Sequence, residues 1–284
     1  MRTNGMTKLL GWAGAVCLAA TFASTAVAKN NLNCTIVDET GKPLAKQDIV
    51  LTQAGGKEVK RKTNDQGLAE FKGLDDGTYQ IRGDIPGYVT TKSAPMQLSG
   101  NANQTCTFKI ASANYANGLL QEVLNLTRQR KFGEAEERAK KAIEMMPEES
   151  GAHYVLAVNY ATAGKETEAL AAIQKAAELN PEKYKDTVKV VRLTAIGAQA
   201  DEALAKNNLD EAMKKYEAML GIAPNESTVY YNMAVAYGRA NKFDQAIKSI
   251  DKAIALKPDD IEVQQMKIKL QDMYLKSLDK KLEK

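Results

Sequence analysis

The sequence predicts a multi-domain chain, a small all-β antiparallel sandwich followed by an all-α solenoid of paired helices. Three observations carry this reading. Residues 32–110 keep a hydrophobic period of two, broken by turn-forming clusters. After Ala111 the period changes to 3.6 with no further strand pattern. Pro147, Pro181, Pro224 and Pro258 then close successive helical runs at separations of 34, 43 and 34 residues.

The first 28 residues stand apart from both halves. Arg2 and Lys8 precede an apolar run from Leu9 to Phe22, and Ala26-Val27-Ala28 supplies a small-x-small cleavage pattern. Residues 1–28 are therefore read as a signal peptide cut after Ala28. The competing reading, a retained anchor, is weakened by Thr21, Ser24 and Thr25, which thin the far end of the run. Lipidation at Cys17 is disfavoured because Val16 stands where that signal wants a small residue. The expected product is exported, either periplasmic or secreted, with no transmembrane segment after cleavage. Its charge falls from +4 to +2 on losing Arg2 and Lys8, too balanced to argue for nucleic acid or an acidic membrane.

Residues 29–111 form the predicted sandwich. "NCTIV", "DIVLT", "GLAEFKGL", "TYQIRG" and "CTFKI" read as strands, while "DETGKP", "QAGG", "NDQG" and "DDG" are turn chemistry. "KEVKRK", residues 57–62, reads as a solvated strand or hairpin. Cys34 and Cys106 are an even pair in an exported chain, which reads as a disulfide between the first and last strands. Such a staple suits a core of about 80 residues, which is marginal by itself. Gly41, Pro43, Thr63, Gly67, Phe71, Leu74, Gly77, Tyr79, Gly87 and Tyr88 make this segment resemble the carboxypeptidase-regulatory-like, transthyretin-like sandwiches. That resemblance implies a non-catalytic accessory module used in protein or carbohydrate contacts.

Residues 112–118, "SANYANG", read as a linker able to hinge. Beyond it, residues 119–258 hold four predicted helical pairs, at about 116–149, 150–183, 184–226 and 227–260. Leu156, Ala157, Tyr160, Gly164, Ala169, Ala176 and Pro181 give the second unit a strong resemblance to the tetratricopeptide repeat. Met233, Ala234, Tyr237, Phe243, Ala246, Ala253 and Pro258 do the same for the fourth. The third keeps Ala200, Leu209, Ala212, Tyr216 and Pro224 but carries nine extra residues, read as a longer first helix from near Asp186. The first fits at Leu119, Phe132, Ala135, Ala142 and Pro147, with Val123 in place of a small residue. One such repeat cannot bury its apolar face alone, which is why the pattern recurs. Residues 261–284 read as a capping helix, with dimerisation through its lysine-rich tail as the alternative, so the chain is expected to be a monomer or weak homodimer.

No catalytic or metal-binding constellation stands out. The single histidine, His153, falls at a repeat position that ordinarily packs, and one histidine with two paired cysteines makes no zinc site. No phosphate loop or dinucleotide fingerprint is present, so the chain is read as non-enzymatic and cofactor-free.

The function then lies in what the scaffold displays. Resemblance to the repeat family implies a concave face lined by the first helix of each pair, holding a protein or peptide partner. That register places Tyr154, Val158 and Asn159 in the second unit and Tyr231, Asn232, Val235 and Arg239 in the fourth on or beside this face. The places where chaperone-binding members of the family carry a Lys/Asn carboxylate clamp hold Tyr154, Val158 and Ala161 in the second unit and Tyr231, Val235 and Arg239 in the fourth. That clamp is therefore missing, with Asn159 and Asn232 as polar neighbours. The leading reading is an exported adaptor. The alternatives are a carbohydrate-binding accessory protein using the sandwich, and a periplasmic holdase.

Overall fold

The computed structural model describes residues 29–282, and the expected signal segment lies outside them. Eight strands come first: β1 (Asn30–Val37), β2 (Asp48–Gln53), β3 (Glu58–Lys62), β4 (Leu68–Leu74), β5 (Gly77–Gly83), β6 (Thr91–Lys92), β7 (Met96–Leu98) and β8 (Asn103–Lys109). One sheet has the order β4-β1-β8. The other runs β3-β2-β5-β6, with β7 also paired to β5. Alternation decides which side chains meet between them. Leu32, Cys34 and Ile36 of β1 point inward with Phe71 and Phe108, against Ile49, Leu51, Tyr79 and Ile81 of the other sheet.

The turns are made by the residues that suit them. The Asp38 carboxylate accepts the Thr40 and Lys42 N–H groups, and Asn64 Oδ1 accepts those of Gln66 and Leu68. The basic cluster lies on β3, a lysine-rich edge strand whose charge guards an open sheet edge. One pair departs from the antiparallel expectation: β1 and β8 run parallel, with Cys34 directly opposite Cys106. The two cysteines are bonded. The bridge therefore joins neighbouring strands of one sheet.

The helices are α1 (Ala113–Arg128), α2 (Phe132–Met145), α3 (Ser150–Thr162), α4 (Glu166–Leu179), α5 (Pro181–Tyr184), α6 (Thr187–Ala205), α7 (Leu209–Ile222), α8 (Ser227–Arg239), α9 (Phe243–Leu256) and α10 (Ile261–Leu282). Helices α1, α3, α6 and α8 each pack on the following α2, α4, α7 and α9. Ala157, Ala169 and Ala176 are fully buried, so these backbones approach closely, and Ile173 fills the space between them. The turn within each pair carries one residue at positive φ, namely Arg130, Gly164, Asn207 and Asn241. Their separations match those of the prolines.

The longer first helix expected from near Asp186 is present as α6, but α5 before it was not expected and the linker reading changes. The nine extra residues of the third unit are shared between a one-turn helix, α5, and a 19-residue α6. Pro181 starts α5 and Asn180 Oδ1 accepts the Lys183 N–H, so the chain turns before α6 begins. The linker at 112–118 is instead helical from Ala113 onward. Ser112 caps α1, accepting the Tyr115 N–H on its hydroxyl, and its own N–H and Oγ–H are held by Glu39 of the sandwich. Val89 donates to the Ala111 carbonyl and Ala113 to that of Gly87, and Lys92 pairs with Glu148. Ala111, Ala116, Leu119, Ala142, Met146 and Ala152 form a shared apolar junction.

Candidate protein-interaction surface

Each first helix must bury one side on its partner helix, which leaves the other side open. In α3 the packed side is explicit. The Tyr160 hydroxyl donates to Glu136 on α2, and Leu156 and Ala157 lie in the core. The opposite stripe is Gly151, Tyr154, Val158 and Thr162, spaced three or four apart and all half-buried. In α8 the equivalent stripe is Thr228, Tyr231, Val235 and Arg239, running from exposed through half-buried to exposed.

The repeat register extends this stripe to units the sequence reading passed over. Leu120 and Leu124 of α1 stand 34 residues before Tyr154 and Val158, and both are half-buried. Gly197 and Asp201 of α6 stand 43 residues after them. Leu120 lies beside Gly151, where an added Cβ would sit 3.3 Å from it, so the stripes of α1 and α3 adjoin. The result is an apolar patch of Leu120, Leu124, Tyr154 and Val158 over the first two units. Gly197 and Asp201 interrupt it before Tyr231 and Val235 resume. The two tyrosines thus belong to separate parts of the face.

The tyrosines also have partners within the chain. Tyr154 stacks on Tyr184 of α5, with ring centroids 5.1 Å apart, and the Lys183 ammonium lies 5.1 Å from the Tyr184 ring. Tyr184 was not foreseen, because α5 was not. Tyr231 donates to Glu262 of α10 at 3.2 Å, beside a cavity of about 170 Å³ that Asn232 also lines. Burial, then that hydrogen bond, pushes the Tyr231 hydroxyl above its ordinary value.

Asn159 requires a correction. It is 1 % exposed and faces the core. Its amide donates to the Phe132 carbonyl at 3.0 Å and its Oδ1 accepts from Thr127 at 3.1 Å. A buried amide needs such partners, so this side chain ties α1, the start of α2 and α3 together rather than meeting a partner. Arg239 is exposed at the end of its stripe. His153 is half-buried, with Nε2 donating to the Pro147 carbonyl at 3.1 Å. In the sandwich, Phe71, Tyr79 and Phe108 are buried and Tyr88 is half-buried. A separate cleft of about 1020 Å³ runs between the sandwich and α2, lined by Met96, Phe108, Ile143 and Met145 together with Lys92 and Glu148.

Comparison with known proteins agrees with this architecture. The Carboxypeptidase regulatory-like domain family matches residues 31–111, and two Tetratricopeptide repeat families match residues 120–183 and 203–270. The chain is therefore a carboxypeptidase regulatory-like domain followed by tetratricopeptide repeats. Such repeats are a protein-interaction scaffold and are typically non-catalytic. The stretch between the two repeat matches, 184–202, covers the end of α5 and most of α6, where the extra residues fall.

Solved structures similar to parts of the chain include the Bacillus anthracis TIE protein, at 28 % identity over 30 % of this chain and 17 % of that one, with a TM-score of 0.26. MamA protein is 18 % identical over 59 % of this chain and 90 % of its own, with a TM-score of 0.33. A tetratricopeptide repeat protein from Parabacteroides merdae is 17 % identical over 56 % of this chain and 59 % of its own, with a TM-score of 0.35. None of these likenesses bears on function.

Proposed function

We propose that the protein is an exported, non-enzymatic adaptor that holds a protein or peptide partner along the open face of its first-helix layer. The observation that carries this is the stripe repeated at matched positions, Leu120/Leu124, Tyr154/Val158 and Tyr231/Val235, left half-buried while the opposite helix faces are packed. Half-buried tyrosine and aliphatic side chains suit a binding surface, since they offer apolar area without a large ordering cost. Export is supported by the leader-like pattern of residues 1–28 and by the Cys34–Cys106 bridge, which persists in oxidising compartments. Among the described residues no helix is long and apolar enough to cross a membrane.

A second docking place is favoured by one observation, the cleft of about 1020 Å³ beside β8, an edge strand of its sheet. The carbohydrate reading gets little support from the sandwich, whose four rings are buried or half-buried.

The test is affinity capture from native envelope extract with the wild type and a Val158→Glu, Arg239→Glu double variant. One or a few partners lost only from the variant support the adaptor. Partners kept by both move attention to the cleft. A broad set of unfolded chains kept by both supports a holdase instead.

A further inference from the structure

Helix α10 has two unlike sides. One packs on the array. Val263 and Leu270 are buried, Met266 packs with them, and Tyr274 stacks on Phe243 at 5.6 Å. Gly238 of α8 lets Leu270 approach so closely that an added Cβ would stand 2.5 Å from its Cδ2.

The opposite side of α10 carries a line of large apolar residues among Gln265, Asp272 and Asp279. Ile261, Ile268 and Leu275 are 68 %, 66 % and 61 % exposed, and Leu278 beside them is 38 % exposed. The first three are seven residues apart, a spacing that drifts only about 20° per step on a helix. They form one straight stripe about 21 Å long, roughly opposite Val263 and Leu270. Large apolar side chains this exposed occupy one heptad position, with Gln264, Gln265, Gln271 and Asp272 between them, so they offer a single apolar line for another helix to cover.

Charge on the same helix says what lies across that line. Asp259, Asp260 and Glu262 stand at its start, whereas Lys276, Lys280 and Lys281 outnumber Asp279 toward its end. Two copies laid parallel would set acid against acid and lysine against lysine. Laid antiparallel, each acidic end meets a basic end. Ile268 is the midpoint of the stripe, so it would face its own counterpart while Ile261 faces Leu275 of the other copy.

We infer that the occupant of this face is a second copy of the chain, paired antiparallel through α10 about a two-fold axis at Ile268. The dimer presents two open faces, so it would hold two partners at once, although the pairing itself does not depend on the adaptor reading.

The test uses the full chain carrying Cys17→Ser, so that an introduced cysteine is the only free thiol. Sedimentation should show a dimer. Ile268→Glu should weaken it at least about tenfold while leaving the circular dichroism spectrum and melting midpoint unchanged, because that side chain meets water within one copy. Under mild oxidation Ile268→Cys should cross-link to itself. Ile261→Cys alone should not, but mixed with Leu275→Cys it should. A chain that stays monomeric, a dimer indifferent to Ile268→Glu, or Ile261→Cys cross-linking to itself would each overturn the proposal.

Discussion

The Glu39 carboxylate accepts two hydrogen bonds from one residue, the Ser112 N–H at 2.9 Å and its Oγ–H at 2.7 Å. Ser112 is also the N-cap of α1, so a loop of the sandwich helps set the start of the first repeat. Burial pushes the Glu39 carboxyl up, but the two bonds from Ser112 outweigh it and hold it below its ordinary value. A carboxylate lowered in this way contributes stability above its ordinary value of 4.5, and loses it as pH falls through the lower folded value. Hydrogen exchange of the amides at the start of α1 should therefore quicken below that range. Glu39→Ala should quicken it at neutral pH and remove the acid dependence.

Asn159 gives the second prediction. Removing its amide leaves the Phe132 carbonyl without that partner, so Asn159→Ala should cost about 1–3 kcal/mol in denaturant unfolding. If the variant were as stable as the parent, the buried bridge between α1 and α3 would carry no weight.

Gly67 gives the third. It sits at φ +73°, and an added Cβ would lie 2.7 Å from the backbone carbonyl oxygen of Ile36. Neither the left-handed backbone nor the carbonyl can yield easily. Gly67→Ala should destabilise the sandwich by about 2 kcal/mol or more, read from its melting midpoint.

The bridge between β1 and β8 gives the fourth. It spans a sequence separation of 72, which in the chain-entropy picture is worth about 4 kcal/mol. Cys34 is buried but Cys106 lines the cleft beside α2. A Cys34→Ser, Cys106→Ser variant should lose most of that stability and release the edge strand β8 to exchange first.

How much of this could be read from the chain follows from what sequence periodicity encodes. The change from period two to 3.6 locates both folds, because each period is set by one backbone geometry. The prolines count the units for the same reason. Periodicity does not report which polar residue faces inward, so Asn159 reads as a surface neighbour of Val158 although it is buried. Nor does it report local capping: Ser112 followed by small residues reads as a linker until Glu39, 73 positions earlier, is seen to hold it. The α5 turn and its Tyr184 were hidden by the same limit, since a nine-residue insertion has no register of its own. Leu120 and Leu124 were within reach, being one repeat before Tyr154 and Val158.

The central claim is that the open face of the first helices meets the partner. A photoreactive residue placed singly at Val158 and at Val235, with Lys248 on α9 as the control, tests it in the native envelope. The account predicts the same discrete adduct from Val158 or Val235 and none from Lys248. Adducts from Lys248 alone, or none from either stripe position while the partner still co-purifies, would contradict it.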